Sequence, residues 1–114
     1  MSGENQSADR PPAERRRFQR YKAALSVQFL SEGATAMART QTSEISLGGC
    51  YIEMQLGLAV KTKLRLTLWV AGEKLATDAV VATHDPGFGN GIQFLNMPPE
   101  DQARLRKYLA TLQQ

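Results

Sequence analysis

The sequence of 114 residues contains one cysteine, one histidine and no long apolar run. With a single thiol, Cys50 cannot form a disulfide within the chain, and no second cysteine suggests a metal site. No segment approaches the roughly 18 apolar residues that span a bilayer. The first 14 residues also lack the apolar core of a signal peptide. We therefore expect a cytoplasmic protein without membrane insertion and without a bound metal.

The sequence also lacks the residue patterns that accompany catalysis. His84, the only histidine, stands next to Asp85 without a nucleophile in a comparable setting, and we interpret this pair as structural. The segment PGFGNG, residues 86–91, lacks the Lys-Ser/Thr ending of a phosphate-binding loop and precedes a predicted strand. We expect that the protein is not an enzyme and requires no cofactor.

Positive charge is distributed unevenly along the chain. The net charge is +3, but residues 10–22 hold six basic side chains and only one acidic side chain, that of Glu14. The remaining residues carry eight basic and ten acidic side chains. The excess of positive charge therefore centres on ERRRFQR, residues 14–20. Such a concentration favours a localised anion-binding site over a broad nucleic-acid-binding face.

Alternation of apolar and polar residues predicts six short strands. It is clearest in TKLRLTLWV, residues 62–70, where Leu64, Leu66 and Leu68 share one face. A tight turn is indicated at Gly48-Gly49 and a short hairpin connection at Ala71-Gly72-Glu73. The other predicted strands lie near residues 25–29, 35–45, 51–54, 74–85 and 91–96.

The C-terminal segment changes to a helical period. Pro98-Pro99 followed by Glu100-Asp101 is typical of a helix start, and apolar residues then recur every three or four positions. We therefore predict an all-β protein, a small six-stranded antiparallel β-barrel with one C-terminal α-helix over residues 99–112. The predicted organisation is a disordered tail over residues 1–13 and a single domain over 14–114. Within that domain we expect an arginine arm over 14–20 and the barrel over 21–96.

Two segments stand out by their residue types and their order: RRRFQR before the first strand and EISLGG at the turn between the second and third strands. Together they resemble the motifs of the PilZ domain family. The family motif RxxxR is matched by Arg16 and Arg20. Its motif D/NxSxxG is matched by Ser46 and Gly49, whereas Glu44 replaces the usual Asp or Asn. The resemblance covers residues 14–112 and implies a small six-stranded barrel that binds the bacterial second messenger cyclic di-GMP.

The resemblance also implies how the ligand is held. Arg16 and Arg20 would clamp it, because a guanidinium binds phosphate oxygens or a guanine edge in pairs and stacks on a base. Arg15 stands directly before the motif. In this respect the sequence is similar to family members that hold two intercalated ligand molecules, and the resemblance therefore favours two ligands per chain. The floor of the site would consist of Glu44, Ser46 and Gly49.

The residue at position 44 leaves two hypotheses open. In the first, the protein is a stand-alone cyclic di-GMP receptor that changes its arm and surface on binding and signals to an unidentified protein effector. In the second, it is a PilZ-like protein-interaction module that binds the nucleotide weakly or not at all. The side chain of Glu44 is one methylene longer than that of Asp, which would shift its carboxylate away from the guanine donors. A misplaced or lost hydrogen bond to a charged group costs about 1.5–3 kcal/mol of binding free energy.

A third hypothesis is nucleic-acid binding through the basic arm. It predicts a steep dependence of affinity on salt and little preference for the cyclic dinucleotide over oligonucleotides. We rank it last and expect no nucleic-acid partner, because no basic or aromatic stripe continues the cationic segment across the predicted strands.

Overall fold

The computed structural model describes residues 18–113, which form an antiparallel barrel with one helix. The predicted tail over residues 1–13 lies outside the described part. In chain order the elements are β1 (Tyr21–Lys22), β2 (Ser26–Ser31), β3 (Ala38–Ile45), β4 (Gly49–Glu53), β5 (Lys63–Val70), β6 (Glu73–Asp85), β7 (Gly89–Leu95) and α1 (Pro99–Thr111).

Antiparallel pairing closes six of these strands into a barrel. The strands are hydrogen-bonded in the order β1–β3–β2–β5–β6–β7–β4, and an additional pairing of β3 with β4 completes the ring. The predicted six-stranded barrel with a C-terminal helix is thereby confirmed. Closure matters because it leaves no barrel strand with an unpaired edge.

The two-residue strand β1 lies beside β3, next to β2, and was not predicted as a separate element. Thr42 on β3 bridges the break between β1 and β2. Its buried hydroxyl accepts a hydrogen bond from the Leu25 amide at 3.0 Å and donates one to the Ala23 carbonyl at 2.7 Å. The segment that leads from the arginine arm into the barrel is therefore fixed along the edge of β3.

The core follows the predicted alternation. On β5 the side chains of Leu64, Leu66 and Leu68 are all buried, while Trp69 faces outward and is half-buried beside the Lys74 ammonium. The connection from β5 to β6 is a two-residue turn in which both residues have positive φ, 51° at Ala71 and 83° at Gly72. Such a turn matches the twist of the flanking strands.

The helix α1 packs with one face in the barrel core. It begins at Pro99, with Glu100 and Asp101 in its first turn as the macrodipole favours. Leu105 and Leu109 are buried in the core cluster, and the helix ends at Thr111, one residue before the predicted end.

Two glycines stand at the start of β4, in the turn that we call the SLGG turn (residues 46–49). An added Cβ at Gly49 would lie 2.0 Å from the carbonyl oxygen of Ile92 on β7, far inside van der Waals contact. At Gly48 an added Cβ would meet the ring of Phe18, the nearest carbon being 2.6 Å away. The first obstacle is backbone and the second is a partly exposed side chain, so only Gly49 is required by the fold.

We therefore predict different outcomes for the two glycines in urea denaturation. Gly49→Ala forces β4 away from β7 and lowers the free energy of unfolding by at least about 2 kcal/mol. Gly48→Ala requires only that Phe18 move, and its effect stays below about 1 kcal/mol. Equal losses of stability in the two variants would contradict this assignment.

The buried thiol of Cys50 predicts a pH dependence of stability. Burial raises the pKa of Cys50 from 9.0 to about 12. The unfolded chain ionises this thiol above pH 9 and the folded chain does not, so the stabilisation is complete below pH 9 and is lost as the pH approaches 12. The expected slope is about 1.4 kcal/mol per pH unit.

The measurement is the free energy of unfolding between pH 8 and 11 for the natural chain and for Cys50→Ala. Below pH 9 the difference between the two chains is constant, and above pH 9 the natural chain loses stability faster. Parallel curves over the whole range would show that the thiol does not contribute.

Candidate ligand-binding site

The SLGG turn is closed by the hydroxyl of Ser46. This oxygen accepts hydrogen bonds from the amides of Gly48 and Gly49, each at 3.1 Å, and lies 3.3 Å from the Gly49 carbonyl, to which it donates. A serine hydroxyl has one donor and two acceptor positions, and the turn uses all three. Ser46 was predicted as part of the ligand floor; in the structure its hydroxyl is bonded within the SLGG turn and sets the shape of that turn.

A β-bulge on β3 orients Glu44. The pairing of β3 with β4 shifts register between Thr42 and Glu44, which leaves Ser43 as the extra residue. As a result Glu44 faces outward, with Lys22 of β1 opposite on one side and Tyr51 of β4 opposite on the other. Bulges commonly redirect a side chain beside a functional site. Here the bulge turns the carboxylate onto the surface that carries the SLGG turn.

Arg20 forms an ion pair with Glu44. Its Nη1 lies 3.6 Å from Glu44 Oε1, and the side chains of the two residues are 52% and 37% exposed. A long, solvent-exposed pair of this kind contributes about 0–1 kcal/mol. The contact therefore places Arg20 beside the turn without holding it tightly.

Glycines stand opposite larger residues on the two strands beside Glu44. Tyr51 is paired with Gly91 on β7, and Gly49 is paired with Gln93, so glycine backbone lies next to the larger side chains. The hydroxyl of Tyr51 donates a hydrogen bond of 2.6 Å to Asp85. Glycine at these places allows a planar group to approach the backbone closely.

The phenol of Tyr51 stays protonated well above neutral pH. Partial burial raises its pKa to about 12, with the hydrogen bond to Asp85 as the next cause. The negative charges of Asp85, Glu53 and Glu44 add to the shift. Tyr51 is therefore a neutral donor among three carboxylates.

A groove lies between the arm and the C-terminal half of α1. Its volume is about 340 Å³, and its lining includes Phe18, Leu47, Arg106 and Leu109. The side chain of Gln113, which also lines it, donates a hydrogen bond to the hydroxyl of Tyr21 on β1. The end of the arm, the SLGG turn and the end of the helix therefore meet at one place.

Four of the six predicted site residues are described, and the structure brings them to one surface: Arg20, Glu44, Ser46 and Gly49. Arg15 and Arg16 lie outside the described residues. Lys22, Tyr51 and Gln93 belong to the same surface and were not predicted as site residues. Lys22 and Tyr51 flank Glu44 only because of the strand register, which the sequence motifs do not encode.

Two further properties concern the described part of the chain. Within residues 18–113, no three or more His, Cys, Asp or Glu side chains are grouped so as to hold a metal ion. In the same residues, no helix has the length and apolar content needed to cross a membrane.

Three solved structures resemble this one. The Bacillus subtilis inhibitor of motility MotI/DgrA is 26% identical with a TM-score of 0.69, over 85% of this chain and 50% of that protein. The chain thus spans about half the length of MotI/DgrA. The PilZ domain of Escherichia coli YcgR with c-di-GMP is 18% identical with a TM-score of 0.70, over 86% of this chain and 91% of that domain.

The third structure is the PilZ domain of CeSA from a cellulose-synthesizing bacterium. It is 19% identical with a TM-score of 0.62, and the match covers 82% of this chain and 97% of that domain. Among curated proteins, none matches the chain significantly. The PilZ domain family model matches residues 14–111. The resemblance of the two motifs is thereby confirmed, and this chain belongs to the PilZ domain family.

Proposed function

We propose that this protein is a cytoplasmic bacterial receptor for cyclic di-GMP, without catalytic activity, that signals to a protein partner through its arm and surface. The observation that carries the proposal is the position of Arg20 and Glu44 beside the closed SLGG turn. A cation, a carboxylate and a glycine floor on one surface suit a phosphate-bearing purine ring. The E. coli YcgR domain, which has this fold, was solved with c-di-GMP.

The charges of the site suit the two phosphodiester groups of the ligand. Arg20 and Lys22 are two positions apart on the segment that runs along β3, on the side where Glu44 faces outward. Arg15 and Arg16 precede them in the chain and would add two further guanidiniums. Guanidiniums bind phosphate oxygens in pairs and stack on bases, so the arm would cover a ligand that rests on the barrel.

Glu44 would exchange one partner for another when the ligand binds. Its ion pair with Arg20 is weak, and a ligand phosphate can therefore take Arg20 at small cost. The carboxylate is then available to accept hydrogen bonds from the N1–H and N2–H₂ groups of guanine. The side chain is one methylene longer than that of Asp, and we expect weaker binding than an Asp at this position would give.

The site would hold two intercalated ligand molecules in its saturated state. Arg15 stands directly before RxxxR, and a third guanidinium reduces the repulsion among four phosphates. Tyr51 and Gln93 extend the floor beyond the residues of the family motif and provide a surface for stacked guanines.

Movement of the arm would be transmitted to the helix. The ring of Phe18 rests on Gly48, and Tyr21 is hydrogen-bonded to Gln113 at the end of α1. When Arg20 closes on a ligand, the residues on either side of it must adjust. The groove between the arm and the helix therefore changes shape with ligand occupancy, which gives a protein partner a surface that reports the ligand.

An interaction module without nucleotide binding is the alternative, and one observation favours it. Arg20 and Glu44 form an ion pair with each other, in which the longer carboxylate reaches the guanidinium. In this alternative the pair is permanent, and the surface serves protein contacts alone.

Calorimetric titration of the full chain with cyclic di-GMP tests the proposal. We expect saturable binding that Arg20→Ala weakens at least about tenfold, because a charge-assisted contact to phosphate is lost. Arg65→Ala is the matched control, since Arg65 forms an exposed ion pair with Asp78 elsewhere on the barrel and its loss should leave binding unchanged. Absence of heat at high micromolar ligand would support the interaction module instead.

Glu44→Asp in the same titration tests the role of the carboxylate. If Glu44 contacts guanine from a displaced position, the shorter side chain binds the ligand more tightly. Unchanged affinity would show that Glu44 is not a ligand contact, although the receptor function itself would stand.

A further inference from the structure

A larger groove lies at the other end of β4 from the SLGG turn. Gly49 begins this strand and Glu53 ends it, so the two ends are about 13 Å apart. The groove has a volume of about 810 Å³. It is lined by Tyr51, Glu53, Met54, Gln55, Asp85, Gly87 and Phe88.

The charge of this groove is negative. Glu53 and Asp85 both pair with Gly89, which places them on either side of a residue without a side chain. The ring of Tyr51 occupies the space over Gly89, and its hydroxyl is bonded to Asp85. Of the described residues that line the groove, two carry carboxylates and none carries a positive charge. We call this feature the acidic groove.

The walls of the acidic groove are held in place by hydrogen bonds. The Met54 amide donates to the Phe88 carbonyl at 3.0 Å and joins the two walls. Asn90, which is fully buried, accepts from the Leu58 amide and donates to the carbonyls of Leu58 and Thr83. These bonds fix the chain that follows β4 to the β6–β7 hairpin. A partner would therefore meet a preformed surface and avoid most of the cost of ordering it.

Exposed apolar side chains border the carboxylates. Phe88 is 74% exposed and Leu56, two residues after Met54, is 88% exposed. An exposed aromatic ring that borders a groove is a candidate contact, because aromatic side chains are enriched in protein interfaces. Apolar groups beside carboxylates that no described cation neutralises call for a complementary segment with aliphatic and basic side chains.

We propose that the acidic groove docks a segment of a partner protein in which aliphatic side chains are flanked by arginine or lysine. The aliphatic groups would contact Phe88 and Met54, and a cation would lie between Glu53 and Asp85. Only the biological role of this docking site rests on the proposed receptor function: the docked segment would belong to the protein effector. Tyr51 lies between the groove and Glu44, so the docking face adjoins the nucleotide site.

The test is nuclear magnetic resonance titration of the full chain with a capped peptide of sequence GRLLRG, without nucleotide. We expect shifts confined to residues 51–58 and 84–89 and a dissociation constant between micromolar and millimolar, as is usual for short segments. Phe88→Ala weakens binding about tenfold, as does the combination of Glu53→Gln with Asp85→Asn. The matched controls Met37→Ala and Asp78→Asn alter exposed residues elsewhere and change the affinity less than about twofold.

Three outcomes would overturn the proposal. One is equal binding of the peptides GELLEG or GRSSRG, which lack the charge or the aliphatic groups. Another is binding that survives both groove variants. The third is a shift of groove resonances in the peptide-free chain when Arg15, Arg16 and Arg17 are together replaced by alanine. Such a shift would show that the arm of the unsubstituted chain itself occupies the groove. The peptide titration contains no nucleotide, so a negative result there leaves the receptor proposal standing. A negative result in the cyclic di-GMP titration likewise leaves the peptide-docking proposal standing.

Discussion

The close approach of Gly49 to the carbonyl of Ile92 is the constraint on which the site depends. It brings β4 against β7 within the closed ring of six strands and leaves no space for a side chain at the start of β4. The hydroxyl of Ser46 closes the same turn with three hydrogen bonds. The SLGG turn is thus fixed by barrel closure and by its own hydrogen bonds.

Beside the fixed SLGG turn, the guanidinium of Arg20 is held only weakly. The ion pair of Arg20 with Glu44 is exposed on both sides, and little free energy is needed to replace the carboxylate with a phosphate. In the proposed receptor, a fixed turn beside an exchangeable arginine would let the ligand move the arm while the SLGG turn keeps its shape. The contacts of Phe18 with Gly48 and of Tyr21 with Gln113 would then carry that movement to α1.

The sequence was sufficient to predict the six-stranded barrel and its C-terminal helix, but not the two-residue strand β1. Strands such as β5 and β6 were predictable because alternation reports one buried face, and α1 was predictable from its proline and acidic start. The flanking of Glu44 by Lys22 and Tyr51 was not, because it follows from the bulge at Ser43 and from pairing between distant strands. The role of Ser46 was also hidden, since a motif identifies the residue and not the atoms that its hydroxyl contacts. The ligand-binding roles of all six site residues, Arg15 and Arg16 included, remain predictions.

If the arm and the SLGG turn form one site for the ligand, the amide chemical shifts of both segments change on ligand binding, and these shifts are the most direct measurement of the site. In a titration of the ¹⁵N-labelled full chain with cyclic di-GMP, the account predicts saturable shifts at Arg20, Glu44, Gly48 and Gly49. The exposed turn at Gly33 between β2 and β3, whose described contacts are with Lys63 of β5 and not with α1 or the SLGG turn, serves as the internal reference and should not shift. Unchanged amide positions at the arm and at the SLGG turn in large excess of ligand would contradict the account.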